Sequence, residues 1–155
     1  RADVITVPTE YVRGTVIERF VVDASRVVVV PHGVEPDIGV GARSEPELRR
    51  DYELGSGRVL VLPAITHPHK GHRFLLDVMA AHWNDPDLRL VLLGGAGSAD
   101  EEVRRQIEQL GLGQRIVRTG RVDDDDRDGL IRLAEALVFP SEYEGFGAPV
   151  VEAMA

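Results

Sequence analysis

Arg58–Pro63 reads "RVLVLP", and after a polar loop Gly71–Trp83 reads "GHRFLLDVMAAHW". The first segment is apolar on successive residues rather than alternate ones, the mark of a strand buried on both faces. The second spaces its apolar residues as a helix does. The same unit recurs downstream. "LRLVLLG" (Leu88–Gly94) precedes "ADEEVRRQIEQLGL" (Ala99–Leu112), which has an acidic first turn and Gly111 near its end. "RIVRTG" (Arg115–Gly120) precedes "DDDDRDGLIRLAE" (Asp123–Glu135). "ALVFP" (Ala136–Pro140) precedes "PVVEAMA", a helix predicted to start at Pro149. Upstream, "DVITV" (Asp3–Val7), "TEYVRGTVIERF" (Thr9–Phe20) and "RVVVVP" (Arg26–Pro31) read as strand, helix and strand. The stretch His32–Glu47, with three glycines and two prolines, reads as a linker, and Pro46–Leu54 as a short helix closed by Gly55. Doubly buried strands that each feed a helix predict an α/β fold. It is a Rossmann-like parallel sheet with helices on both faces and right-handed crossovers.

Composition narrows the function classes. The 155 residues are 43% hydrophobic, enough for a core, and the net charge is −8. An acidic chain without a basic run fits neither sequence-independent nucleic-acid binding nor a polybasic membrane anchor. The absence of cysteine removes disulfides, thiol catalysis and cysteine metal sites, and suits a reducing cytoplasm. No apolar run approaches the roughly 20 residues of a membrane span. The chain begins at Arg1 with no visible signal peptide, and the expectation is a piece of a longer protein.

In open parallel sheets, ligands bind beyond the carboxyl ends of the strands. Four loops qualify. "AITHPHKGH" (Ala64–His72) places Lys70 beside a helix N-terminus, a suitable setting for phosphate, although position alone leaves a solvated lysine open. Its histidines, His67, His69 and His72, lack the spacing of a metal motif, and packing explains them better. "GGAGS" (Gly94–Ser98) lacks the third small residue of a dinucleotide fingerprint, and a glycine turn with Ser98 as helix cap accounts for it equally. "GRVDDDD" (Gly120–Asp126) puts aspartates at a helix start, where the dipole favours them; a Mg²⁺ site is the lesser alternative. "PSEYEGFGAPVVEAMA" (Pro140–Ala155) has Glu144 and Glu152 with seven residues between them, flanking a glycine turn. A carboxylate accepts two hydroxyl hydrogen bonds at once, which sugar rings and ribose diols offer. Each glutamate alone is explained by solvation or the helix dipole. Together at a strand end they read as a functional pair facing one crevice.

The chain resembles the C-terminal half of a GT-B glycosyltransferase of the retaining family 4 type. "EGFGAPVVEAMA" resembles the family's E-x7-E signature. "VVPHGVE", "HKGH", "LRLVLLGGAG" and "IVRTGRV" follow the family's order over nearly the whole chain. The resemblance implies that residues 1–35 are the end of an N-terminal acceptor domain with the linker. Residues 36–155 would be an incomplete nucleotide-sugar-binding domain. It implies Lys70 on the donor diphosphate and Glu144 on the donor sugar as the catalytic pair. The backbone of Gly145, Phe146, Gly147 and Ala148 would hold sugar and phosphate, Glu152 the ribose, and main chain at Arg121 and Val122 the base. No metal and no cofactor are expected beyond the donor substrate; lysine and helix N-termini supply the positive potential. The partners implied are a nucleotide-sugar donor and a sugar, lipid-linked or other small acceptor, with no nucleic acid. The location implied is cytoplasmic, with room for peripheral association at the inner face of the membrane. One departure stands out: the family's "GR" after the strand that here ends at Pro63 is "PAIT" in this chain, with Thr66 as the weaker substitute for an absent cation. "PAITHPHKGH" resembles bacterial enzymes adding mannose or rhamnose-like sugars to surface polysaccharides. Within the fold, a nucleotide-sugar 2-epimerase, a phosphorylase or a regulatory nucleotide-binding domain are the alternatives. The 155 residues alone are expected to be inactive.

Overall fold

A computed structural model describes residues 2–34 and 38–155. The expected domain boundary between residues 35 and 36 lies outside the described residues. Strand β1 (Ile5–Val7) leads into α1 (Glu10–Arg19) and then β2 (Val27–Val29). These two strands form a small parallel sheet of their own, with Val7 opposite Val29. Thr9 caps α1, its hydroxyl accepting from Val12 N at 3.2 Å.

After the linker come α2 (Glu45–Asp51), β3 (Val59–Pro63), α3 (His72–His82), β4 (Arg89–Leu93), α4 (Asp100–Gln109), β5 (Ile116–Gly120), α5 (Asp124–Leu133), β6 (Ala136–Leu137) and α6 (Ala148–Glu152). Strands β3 to β6 form one parallel sheet in the order β5-β4-β3-β6. The unbroken apolar character of "VLVLP" has its cause in two cores. Leu62 and Ala64 face one cluster with Leu75, Leu76, Met79, Val103 and Ile107 of α3 and α4. Val59 and Val61 face the other, with Leu48 of α2 and Leu130 of α5. The predicted sheet with helices on both faces is the observed one.

Element ends differ from the sequence reading where turn chemistry intervenes. Helix α2 starts one residue early because Ser44 and Glu47 form a capping box. It stops at Asp51, where Leu54 N bonds back to Arg49 O at 2.9 Å and Glu53 takes a left-handed φ of 53°. The predicted strand 136–140 is paired only at Ala136 and Leu137, continued by one bond from Val138 N to Val61 O at 2.8 Å. Pro63 and Pro140 have no N–H to carry the ladder further. Ser98 does not cap α4, which starts at Asp100 after Ala99. Helix α6 starts at Ala148, so Pro149 is its second residue.

Gly71 joins the Lys70 loop to α3 with a left-handed φ of 71°. A Cβ there would sit 2.4 Å from the Pro140 carbonyl oxygen. Strain in φ and a clash with backbone act together, so Gly71→Ala is expected to cost about 2–3 kcal/mol in urea unfolding of the protein. A loss below about 0.5 kcal/mol would show that the two loops part without cost.

Candidate donor-binding site

The chain lays β3, β4 and β5 outward in one direction and then returns to add β6 on the free side of β3. Strand order reverses there, and a crevice opens beyond the carboxyl ends of two neighbouring strands. The loops leaving β3 and β6 are joined at several points. Glu142 N donates to His69 O at 2.8 Å. The His69 ring stacks on Tyr143 with centroids 4.6 Å apart and planes 15° from parallel. Lys70 Nζ donates to Glu144 Oε1 at 2.6 Å and stands 5.8 Å from the Phe139 ring centroid, within cation–π range. The side chains of Lys70 and Glu144 are 20% and 25% exposed, so the pair is partly screened from solvent while still reachable. Burial pushes the Glu144 carboxyl upward, but the Lys70 bond and charge outweigh it and hold the carboxyl below its ordinary value of 4.5. Ser141 lies close by, yet its buried hydroxyl meets no hydrogen-bond geometry among the described residues.

The other expected site residues are distributed around this pair. Thr66 is 4% exposed, and its hydroxyl is already engaged. It donates to Asp100 Oδ1 at 3.1 Å and accepts from Gly97 N at 2.7 Å. Gly97 is needed there because a Cβ would lie 2.5 Å from Thr66 O. Thr66 thus ties the Gly94–Ser98 loop to the β3 loop. Asp100 also pairs with Arg118; burial raises its pKa, and the bonds from Arg118 and Thr66 bring it below the ordinary value. Gly145 is exposed, Phe146 half-buried, and Gly147, with φ of 80°, precedes Ala148 at the open N-terminal end of α6. Arg121 is exposed and Val122 packs on the second core, both after β5. Two strand spacings, roughly 10 Å, separate that strand from β3. Glu152 is the last residue of α6 and lines a cavity of about 570 Å³ with Gly39, Asp128, Ile131 and Arg132. The structure therefore joins Lys70 to Glu144 directly and sets Glu152 on the α5 side.

The three histidines do three different things. His67 Nδ1 lies 3.2 Å from Ser98 Oγ. His69 belongs to the stack with Tyr143. His72 is 2% exposed, its nitrogens are unpartnered among the described residues, and burial lowers its pKa; the nearby Ala64 carbonyl falls short of hydrogen-bond geometry. The aspartate run is spent on structure. Asp123 caps α5 by accepting from Asp126 N at 2.9 Å. Asp126 accepts from Arg43 Nη1 at 2.9 Å and from the Tyr52 hydroxyl, and Asp128 accepts from Gly39 N at 2.8 Å. Asp126 and Asp128 thus tether the second half of the linker and α2 to α5. Among the described residues, no group of three or more His, Asp or Glu side chains converges, and no helix is long and apolar enough to cross a membrane. Sequence reading passed over His69 and Tyr143 as a joined pair; His69 beside Lys70 was visible, its partner 74 positions away was not.

Residues 45–155 match the family described as Glycosyl transferases group 1. The chain is 26% identical to mannosylfructose-phosphate synthase of Agrobacterium fabrum, over 99% of this chain and 36% of that protein. It is 32% identical to D-inositol 3-phosphate glycosyltransferase of Salinispora tropica, over 99% of this chain and 35% of that protein. The chain thus spans a little over a third of the length of these relatives. The crystal structure of Anabaena Alr3699/HepE in complex with UDP-glucose shares the fold, with a TM-score of 0.82 at 24% identity over 99% of this chain and 42% of that one.

A carboxyl whose pKa is lower in the folded than in the unfolded protein stabilises the fold above its ordinary value. It loses that contribution as pH falls through the folded value. The wild type is therefore expected to exceed Glu144→Gln in stability by about 1 kcal/mol at neutral pH. The difference should shrink as pH drops below 4.5. Denaturant unfolding across pH measures it, and a difference that stays constant down to acid pH would place the effect outside the Lys70 pair.

Proposed function

The chain belongs to the group 1 glycosyltransferases, and on that premise we propose that it is the nucleotide-sugar-binding part of a retaining hexosyltransferase of the family 4 type. The observation that carries the reading is the Lys70–Glu144 contact of 2.6 Å, at the point where strand order reverses between β3 and β6. An ammonium group has three donors, and Glu144 takes one. The remaining two can meet the diphosphate of a donor, whose negative charge grows as the sugar departs. A cation fixed by a carboxylate and an aromatic ring needs little reorganisation at that moment.

In the proposed reaction the bond from the sugar C1 to the diphosphate oxygen breaks, and its electron pair goes to the diphosphate. An acceptor hydroxyl forms the new bond to C1 from the same face, and its proton passes to the departing diphosphate oxygen. Glu144 orients the sugar hydroxyls and is not assigned as a nucleophile. Glu152 is assigned to the ribose and the main chain at Arg121 and Val122 to the base. The N–H groups at the start of α6 are assigned to sugar and phosphate. Lys70 and these N–H groups supply the positive potential, with no metal assigned. The mannosyl and glucose names of the relatives favour a hexose donor, with mannose or a rhamnose-like sugar in polysaccharide synthesis as the narrower proposal. The acceptor is placed with the rest of a longer protein working in the cytoplasm.

Calorimetric titration of the full-length protein with UDP and GDP tests the assignment. Lys70→Ala and Glu152→Ala are each expected to weaken binding about tenfold or more, the loss of a charged hydrogen bond. Unchanged affinity in both variants would remove the donor site from this crevice. Transfer of labelled sugar only when an acceptor is present separates a transferase from an epimerase.

A further inference from the structure

The small sheet reaches the turn that follows Glu144. Because β1 and β2 are parallel, the chain leaves both strands on the same edge. Thr9 follows β1 and His32 follows β2, and both come down on consecutive residues of one turn. Thr9 Oγ1 donates to the Gly145 carbonyl at 3.1 Å. The His32 ring meets Phe146 edge to face, with centroids 5.4 Å apart and planes at 82°. The Thr9 hydroxyl also accepts from Val12 N at 3.2 Å, which caps α1. One hydroxyl has a proton to give and two lone pairs to offer, so both bonds coexist.

The turn needs support from outside. Gly145 and Gly147 leave its backbone free to vary, and Gly147 already sits in the left-handed region. The contacts that lock the β3 and β6 loops together end at Glu144. Beyond it, helix α6 has only five residues to hold the turn from the other side. Thr9 and His32 come from the opposite sheet, 136 positions and 114 positions away in sequence, and grip the carbonyl of one turn residue and the ring of the next.

We propose that Thr9 and His32 are positioning residues: they fix the Gly145–Phe146 turn from the small sheet, so that the donor site beside Glu144 is complete only when the two sheets stand in this arrangement. The inference rests on the nucleotide-sugar reading above. It makes donor binding sensitive to contacts that no donor touches.

The hydroxyl's two bonds can be separated. Thr9→Asp still caps α1, since a carboxylate accepts from the helix N–H groups. It has no proton to give the Gly145 carbonyl. Thr9→Ser keeps both bonds. In the full-length protein titrated with UDP and GDP, Thr9→Asp is expected to weaken nucleotide binding about three- to tenfold, with Thr9→Ser within about twofold of wild type. The Tm of both should stay within about 2 °C of wild type. Equal binding by Thr9→Asp and wild type overturns the inference, as does a Thr9→Ser loss equal to that of Thr9→Asp. If Thr9→Asp lowers Tm further, His32→Ala decides, because it leaves the helix cap alone: it is expected to weaken binding at unchanged Tm, and unchanged affinity overturns the inference. A wild type that binds neither nucleotide overturns the donor reading and this inference with it.

Discussion

Strand β6 joins the sheet on the only side of β3 that β4 leaves free, and the two loops leaving β3 and β6 must then cross at close range. Gly71 lies against the Pro140 carbonyl there, so the β3 loop has no room for a Cβ at the crossing. Everything that looks like chemistry follows from this adjacency. Lys70 and Glu144 meet because their loops are pinned one residue and two residues away, by Glu142 N on His69 O and by His69 on Tyr143. A lysine on its flexible four-carbon stem samples many positions until something removes its freedom. The carboxylate on its Nζ and the Phe139 ring nearby do so here.

The neighbouring loops are held by polar groups that would otherwise be taken for ligands. Thr66, Asp100 and Arg118 form a chain across the ends of β3, α4 and β5. Thr66 is buried, Asp100 partly so and Arg118 exposed; the buried members have their partners, which is the condition for burying polar groups at tolerable cost. The aspartates at the start of α5 do comparable work on the opposite face of the sheet, capping the helix and tying down Arg43. Carboxylates at a helix start have two natural uses, complementing the dipole and accepting from a neighbouring segment. Here one run of four serves both.

Much of the architecture was legible in advance, and for a local reason. A strand covered on both faces must be apolar at every position, so "VLVLP" and "RLVLL" declare a parallel sheet without reference to anything else in the chain. Helix starts at Thr9 and Asp123 were equally local, since a cap accepts from an N–H three residues on. Helix ends and the last strand were less so. The end of β6 depends on which strand it pairs with and on Pro63 in that partner, a residue 73 positions earlier than Ala136. Thr66 shows the limit for the site itself. Its position after β3 made it a candidate for the phosphate, while its hydroxyl contacts, to Asp100 and Gly97, lie more than 30 positions away and are not legible in any local pattern.

The amino-acid sequence by itself determined the fold class, the order of elements and the loops at the carboxyl ends of the strands, because periodicity and apolar runs report burial one segment at a time. It also nominated Lys70 and Glu144 from their positions at strand ends. Only the tertiary structure decided that these two touch, that Glu152 sits on the α5 side, and that the small sheet reaches the turn at Gly145. Those outcomes turn on strand order and on contacts between residues 74 and 136 positions apart. Such contacts are chosen by the packing of whole layers, and no local pattern of residues encodes them.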